Sequence, residues 1–219
     1  MANEGTIERG DVAPAEGGRA EGGRAEGARA EGARDRILSA AIDLIEREGT
    51  DKATTRVIAA AAGVNVAAIN YYFRSKDALV EAALAVSWSN AMEDLEGFLR
   101  REPWDPRGTL LSIAGFLIEG ATVYPRLTRA NLFNSGGHPI GPVAKGLATV
   151  VESLAGRLCD HFARPLDEAA RDRVHAFLSA TVFPILVPFS PDRLAGTEAR
   201  ARYASAIADD LLAYFMRKG

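Results

Sequence analysis

The stretch AAAAGVNVAAINYYFRSKDAL, residues 59–79, decides the fold of this chain. Small side chains lead to Gly63, and a short segment with an asparagine and three aromatic residues then leads to Ser-Lys-Asp. Glycine tolerates the left-handed backbone at a helix end, and Asn and Ser are favoured helix N-caps. The stretch therefore predicts a helix that ends at Gly63, a short helix after Asn65, and a long helix that begins at Ser75.

The residues before this stretch complete a three-helix unit. Apolar residues recur from Ile37 at i, i+4, i+7 and i+8, which predicts a helix from about Arg34 to Gly49. Thr54 is a candidate N-cap for the helix that Gly63 closes. Two helices joined by a glycine-containing turn form a helix-turn-helix, whose second helix lies in the major groove of DNA.

The remainder of the chain also has helical spacing. After Pro103, apolar residues recur at helical intervals in segments separated by Pro and Gly clusters, and no segment alternates as a strand would. Pro184 and Pro188 are expected to kink or end their helix, which would leave space for a cavity. We therefore predict an all-α fold.

The composition is typical of a soluble globular protein, with 47% hydrophobic and 25% charged residues among 219. No apolar run reaches the ~18 residues of a membrane span, and the polar N-terminal residues lack a signal-peptide core. The single Cys159 fits a reducing compartment. We expect a cytoplasmic protein without a membrane partner.

The net charge of −3 is unevenly distributed. Residues 34–76 carry seven Lys and Arg against five acids, whereas the segments on both sides are net acidic. A local basic patch within an acidic protein is what a phosphate-facing surface requires.

Residues 15–34 repeat a five-residue unit four times, AEGGR AEGGR AEGAR AEGAR. The period matches neither a helix nor a strand, and the unit has no large apolar side chain with which to offset its ordering entropy. We predict that residues 1–33 are a disordered, low-complexity extension. A tail that follows DNA is the less favoured alternative, because each unit is electrically neutral.

The short helix after Gly63 has the side chains that a groove-binding helix needs. Ala67 and Ala68 allow its backbone to approach the base edges, and Asn65 and Asn70 can pair with an adenine edge or a phosphate. Polar tips that could reach backbone phosphates follow at Tyr71, Tyr72 and Lys76.

The segment TTRVIAAAAGVNVAAINYYFRSKDALV resembles the DNA-binding domain of TetR-family transcriptional repressors, and RDRILSAAIDLIEREG fits that family's first helix. The resemblance covers roughly residues 34–80, since the motif and the preceding helix share the family's spacing. It implies a phosphate-contacting cap at Thr54, with Thr55 beside it. It also implies base-facing positions at Arg56, Val66, Ala67 and Asn70, and phosphate-facing positions at Tyr71, Tyr72 and Lys76. Many members have Tyr in place of Asn70, so the operator sequence stays open.

The same resemblance implies that residues 81–219 form an effector-binding and dimerisation domain. Its last two helices would pair with those of a second copy, and the homodimer would bind a palindromic operator. Apolar stripes that need a partner surface support this expectation, namely Phe177, Leu178, Thr181, Ile207, Leu211, Leu212 and Phe215. The alternative is that one stripe packs only within its own subunit.

Candidate effector-binding residues are mostly aromatic, which favours a hydrophobic ligand: Trp88, Phe116, Tyr124, Phe133, His138, Phe177 and Phe183. Each of them could instead be an ordinary core residue. His161 and His175 lack metal-ligand spacing, so no metal or cofactor is predicted.

These patterns predict a repressor released by a small hydrophobic effector, which acts by shifting the population of DNA-binding conformations. The helix that begins at Ser75 joins both parts and is the expected lever. The alternative is a DNA-binding regulator controlled by a protein partner or without an effector. No catalytic motif is present in the sequence, so an enzyme is not expected.

Overall fold

The computed structural model describes residues 18–133, 141–187 and 194–217, and these ranges are helical with no strand. The helices are α1 Gly18–Glu48, α2 Thr55–Ala62, α3 Val66–Phe73, α4 Lys76–Leu99, α5 Pro106–Val123, α6 Pro125–Leu132, α7 Gly141–His161, α8 Glu168–Leu186 and α9 Gly196–Met216. The predicted all-α fold, with a three-helix unit followed by a helical domain, is confirmed.

Local capping chemistry sets the ends of α2, α3 and α4. The N–H of Val57 donates to Thr54 Oγ1 at 3.4 Å, and the N–H of Ala68 donates to Asn65 Oδ1 at 2.8 Å. Gly63 ends α2 with φ of 65°, a left-handed conformation that glycine adopts without steric cost. The Ser75 hydroxyl caps α4 in the same way as Thr54 caps α2. These helix boundaries follow the sequence prediction.

Two hydrophobic cores are joined by α4. The first lies among α1, α2, α3 and the start of α4, where Leu79 and Leu84 are buried. The second lies among α5, α7, α8, α9 and the end of α4, where Leu95 and Leu99 are buried. Because one continuous helix contributes to both cores, the position of the first core depends on the packing of the second.

The first helix differs from the sequence prediction, because α1 begins at Gly18, within the repeat. Helix propagation from an existing, packed helix avoids the cost of nucleation, and the Ala, Glu and Arg of the repeat are good helix formers. The expected disordered extension is therefore corrected for residues 18–33. Residues 1–17 lie outside the described part of the chain.

Pro184 neither ends nor interrupts α8, which continues to Leu186. A proline lacks the N–H that would bond to the carbonyl four residues earlier, here that of Ala180. The hydroxyl of Tyr203 on α9 donates to this carbonyl at 2.9 Å. A contact from another helix thus replaces the missing bond. Pro188 lies outside the described residues.

The residues predicted for the dimer interface belong mostly to the core of one subunit. Six of them are buried there, Phe177, Leu178, Thr181, Leu211, Leu212 and Phe215, and Ile207 is half-buried against the same core. The prediction is corrected for those six, because a side chain enclosed by its own subunit has no surface for a second copy. These six side chains pack within their own subunit, as the alternative expectation stated.

No single helix within the described ranges is long and apolar enough to cross a membrane, and α5 and α6 meet that measure only as a pair bent by 106°.

Candidate DNA-binding surface and ligand cavity

Helix α3 has one buried and one exposed face. Ile69 and Phe73 are buried in the first core. The opposite face is exposed and contains the positions predicted to meet DNA bases, Val66, Ala67 and Asn70. Tyr71, at 80% exposed, extends this face toward the end of the helix. The helix therefore presents small and polar side chains outward, as a groove-binding helix requires.

The start of α2 presents two hydroxyl groups and one cation. Thr54 and Arg56 are exposed, and Thr55 is half-buried. The Arg56 guanidinium makes no ion pair with the described residues. The unbonded N–H groups at a helix N-terminus favour an anion such as a phosphate.

Three predicted contact residues are already engaged within the chain, and one of them is Thr54, whose hydroxyl oxygen caps α2. The side-chain oxygen of Asn65 caps α3, so its NH₂ group is the part left for DNA. The Lys76 ammonium is half-buried and donates to the Asp51 carbonyl at 3.1 Å, which ties α4 to the turn between α1 and α2. An ammonium carries three donors, so two remain.

Tyr72 packs partly against the first core, and its ring contacts the edge of the Tyr71 ring with centroids 5.1 Å apart. Sequence reasoning assigned no role to Arg34 or Arg74. Arg34 lies over the Phe73 ring at 5.5 Å, and Arg74 is exposed directly after α3. Arg74 is close to α3 because it follows that helix in the sequence, whereas the position of Arg34 depends on how α1 packs.

A cavity of about 560 Å³ is lined by residues of α1, α4, α5, α6, α7 and α8. Five predicted effector residues line it, Trp88, Phe116, Tyr124, Phe133 and Phe183. Phe177 is not among the lining residues and is buried in the second core. His138 lies outside the described residues.

Several polar lining residues were missed by sequence reasoning, namely Asp43, Ser87, Asn90, Asp94, Asn131, His175 and Ser179. Each is an ordinary polar residue on a helix, and no local pattern separates a cavity-facing position from a solvent-facing one. Asn131 is the most informative, because it is only 6% exposed and polar. Its NH₂ donates to Ser87 Oγ at 3.4 Å, and its Oδ1 has no partner among the described residues.

The ends of α1 and α6 cap one another. The carboxylate of Glu46 accepts the N–H of Leu127 in the first turn of α6, at 2.9 Å. In return, Arg126 donates to the carbonyls of Glu46 and Arg47 in the last turn of α1, at 3.1 and 2.6 Å. An anion at a helix N-terminus and a cation at a C-terminus are both stabilising. Since α6 also lines the cavity, this contact links the cavity to the three-helix unit.

The three-helix unit is similar to a known protein family. A family profile described as bacterial regulatory proteins, tetR family, matches residues 37–83. No curated protein matches the sequence significantly.

Solved structures share the fold at low sequence identity. A tetR-family transcriptional regulator from Streptomyces coelicolor is 21% identical, with a TM-score of 0.64 over 84% of this chain and 80% of that one. FadR from Bacillus subtilis, in complex with stearoyl-CoA, is 13% identical, with a TM-score of 0.63 over 80% and 96%. The TetR-family regulator PfmR from Thermus thermophilus is 20% identical, with a TM-score of 0.56 over 81% and 97%. Residues 37–83, which include the helix-turn-helix of α2 and α3, thus resemble bacterial regulatory proteins of the tetR family, and the chain shares the helical fold of these solved structures.

Proposed function

We propose that the protein is a repressor that binds a palindromic operator as a homodimer and is released by a small, apolar effector. The observation that carries this proposal is the division of α3, with Ile69 and Phe73 in the core and Ala67 and Asn70 outward. In this proposal α3 reads base edges, while Thr54 and the free donors of Lys76 bind phosphates.

The outward sides of α8 and α9 are proposed to form the dimer interface. Two contacts join these helices at their shared edge, the Tyr203 hydroxyl with the Ala180 carbonyl and Arg173 over the Tyr214 ring. Ala176 is exposed on the same side of α8. Small residues allow helices of two subunits to pack closely, and a four-helix interface would place two α3 helices about 34 Å apart.

The coupling route is proposed to include both α4 and α6. A ligand in the cavity contacts α4 through Trp88 and α6 through Leu132. Helix α4 continues into the first core, and α6 holds the end of α1 through Glu46 and Arg126. A ligand that prefers one arrangement of these helices shifts the population toward it, and so alters the spacing of the two α3 helices.

An effector is favoured over control by a protein partner alone. A regulator without an effector would have a closed core around Phe116 and Phe133, but both residues line the cavity. The FadR neighbour, solved in complex with stearoyl-CoA, is a precedent in this fold for a ligand that carries a long apolar chain.

The test is footprinting of the purified protein on the DNA next to its own gene, together with selection from a random DNA pool. We expect one protected region with dyad symmetry, and the same symmetric motif from the pool. Protection without dyad symmetry, or no sequence enriched over random DNA, would rule out the operator proposal.

A further inference from the structure

The cavity wall is apolar except at a few defined points. Trp88 and Phe116 provide aromatic surface, and Leu147 and Leu178 provide aliphatic surface from α7 and α8. A cavity of about 560 Å³ has the size of sites that enclose a small organic molecule, in which a few polar groups fix the orientation.

One of these points is the pair Ser87 and Asn131. Asn131 is 6% exposed, and its side-chain oxygen accepts no hydrogen bond from the described residues. The contact of the Asn131 NH₂ with Ser87 keeps the side chain at the cavity wall.

Other polar lining residues are Asn90, His175 and Ser179, together with two carboxylates. Among the described lining residues, the formally charged side chains are Asp43 of α1 and Asp94 of α4, and neither Lys nor Arg lines the cavity. Arg129 of α6 donates to the Leu186 carbonyl at 2.7 Å. Both aspartates are exposed, so they repel an approaching anion through a partly screened field.

We infer that this cavity takes an apolar ligand that bears no negative charge. The inference rests on the proposed function of the cavity as the effector site. It separates this chain from the FadR neighbour bound to stearoyl-CoA, since the phosphates of a coenzyme A thioester would have to pass Asp43 and Asp94.

The first test uses two fluorescent probes of the same ring system on the full chain. N-phenylnaphthylamine is uncharged and has one N–H, whereas anilinonaphthalene sulfonate adds only a sulfonate. We expect saturable binding of the uncharged probe, and a Kd of the sulfonate at least about tenfold higher at low salt. High salt should reduce the difference in Kd between the two probes. Equal affinities for both probes at low salt would overturn the inference.

Two double variants distinguish the effect of the charges at the cavity from the effect of the protein's net charge. The double variant Asp43→Asn with Asp94→Asn should bring the sulfonate to within about threefold of the uncharged probe. The control, Asp35→Asn with Glu93→Gln, removes the same two charges from positions of α1 and α4 that do not line the cavity. The inference fails if the two double variants bind the sulfonate alike.

Operator release is measured separately, so that the two proposals fail in different ways. If the uncharged probe binds as expected but operator affinity does not change, the effector role fails and the ligand chemistry stands. If the sulfonate binds equally well and releases the operator, the effector role stands and the ligand chemistry fails.

Discussion

At the scale of single residues, the side chains of α3 and its flanks fall into two groups. Some make contacts that hold the helix in place, and others are exposed to solvent. Asn65 uses its oxygen to cap the helix, whereas Asn70 is exposed at mid-helix and has both ends of its amide available. Tyr71 is exposed, whereas Tyr72 packs partly on the core. Residues of the same type thus differ in their contacts, because Asn65 lies at the N-cap of the helix and Tyr72 faces the core more than Tyr71 does.

We expect Asn70→Ala to change which operator sequences are bound. Loss of one base-edge contact should cost about 1–3 kcal/mol at one base pair of each half-site, and should barely change binding to random DNA. Binding to a panel of operators with single substitutions measures this. A uniform loss across the panel would contradict a base-reading role.

Lys76→Ala should act differently, because an ammonium contacts phosphates without regard to sequence. We expect weaker binding to all DNA and a salt dependence that is shallower by roughly one unit per subunit. The variant also loses the bond to Asp51, so its melting temperature is measured in parallel. An unchanged salt slope would show that Lys76 serves only to join α4 to the α1–α2 turn.

At the scale of helices, the reciprocal capping of α1 and α6 is the main contact between the three-helix unit and the cavity wall that does not use α4. The N-cap residue of α6, Tyr124, has no side-chain hydrogen bond of its own to the helix. Glu46 of α1 supplies the missing acceptor from 81 residues away in sequence. The end of one helix thus depends on the position of another.

Glu46→Ala is expected to lower the free energy of unfolding by about 1 kcal/mol, the usual cost of a lost helix cap. It should also weaken the coupling between ligand binding and operator release. The control is Glu48→Ala, which removes an exposed carboxylate paired only with its neighbour Arg47 among the described residues. Urea unfolding of both variants measures the difference, and equal stability of the two would argue against the cap.

At the scale of the whole molecule, α9 is held to α5 by charged contacts at the surface as well as by the second core. Arg107 donates from Nε to Asp209 at 2.8 Å and also bonds to Ser205 at 2.7 Å. The hydrogen bond from Arg107 lowers the pKa of the Asp209 carboxyl below its ordinary value.

This shift predicts a pH dependence of stability. Because the pKa of Asp209 is lower in the folded than in the unfolded chain, its contribution is fully present above about pH 4 and is lost as the pH falls through the folded value. The stability difference between wild type and Asp209→Asn should therefore be constant near neutral pH and should vanish in acid. Asp172→Asn, at an exposed site of α8, is the control. A difference that grows in acid would contradict this sign.

A second prediction at this scale concerns assembly. Ala176→Arg should convert the proposed dimer to a monomer and reduce operator affinity, because a long charged side chain would separate the two α8 helices. Ala148→Arg makes the same change at an exposed site of α7 and should leave the dimer intact. Light scattering after size exclusion gives the mass of each variant. A dimeric Ala176→Arg protein would exclude this face.

The candidate site shows how far a sequence alone can lead. The exposed face of α3 follows from local chemistry, because caps and helical period orient residues such as Asn70 without reference to distant elements. The aromatic lining of the cavity was predicted in part from composition. Asn131 and Asp94 could not be found, since a polar residue on a helix has the same sequence signal whether it faces a cavity or the solvent.

The sequence by itself determined the three-helix unit, its caps at Thr54, Asn65 and Ser75, and the helical character of the rest. These features depend on residues at most a few positions apart. Tertiary structure alone decided that Phe177 and Leu211 pack inside their own subunit, that Tyr203 satisfies the carbonyl freed by Pro184, and that a cavity lies behind α6. An apolar stripe on a helix indicates only that the helix packs against another apolar surface. Which surface that is depends on contacts between residues far apart in the chain.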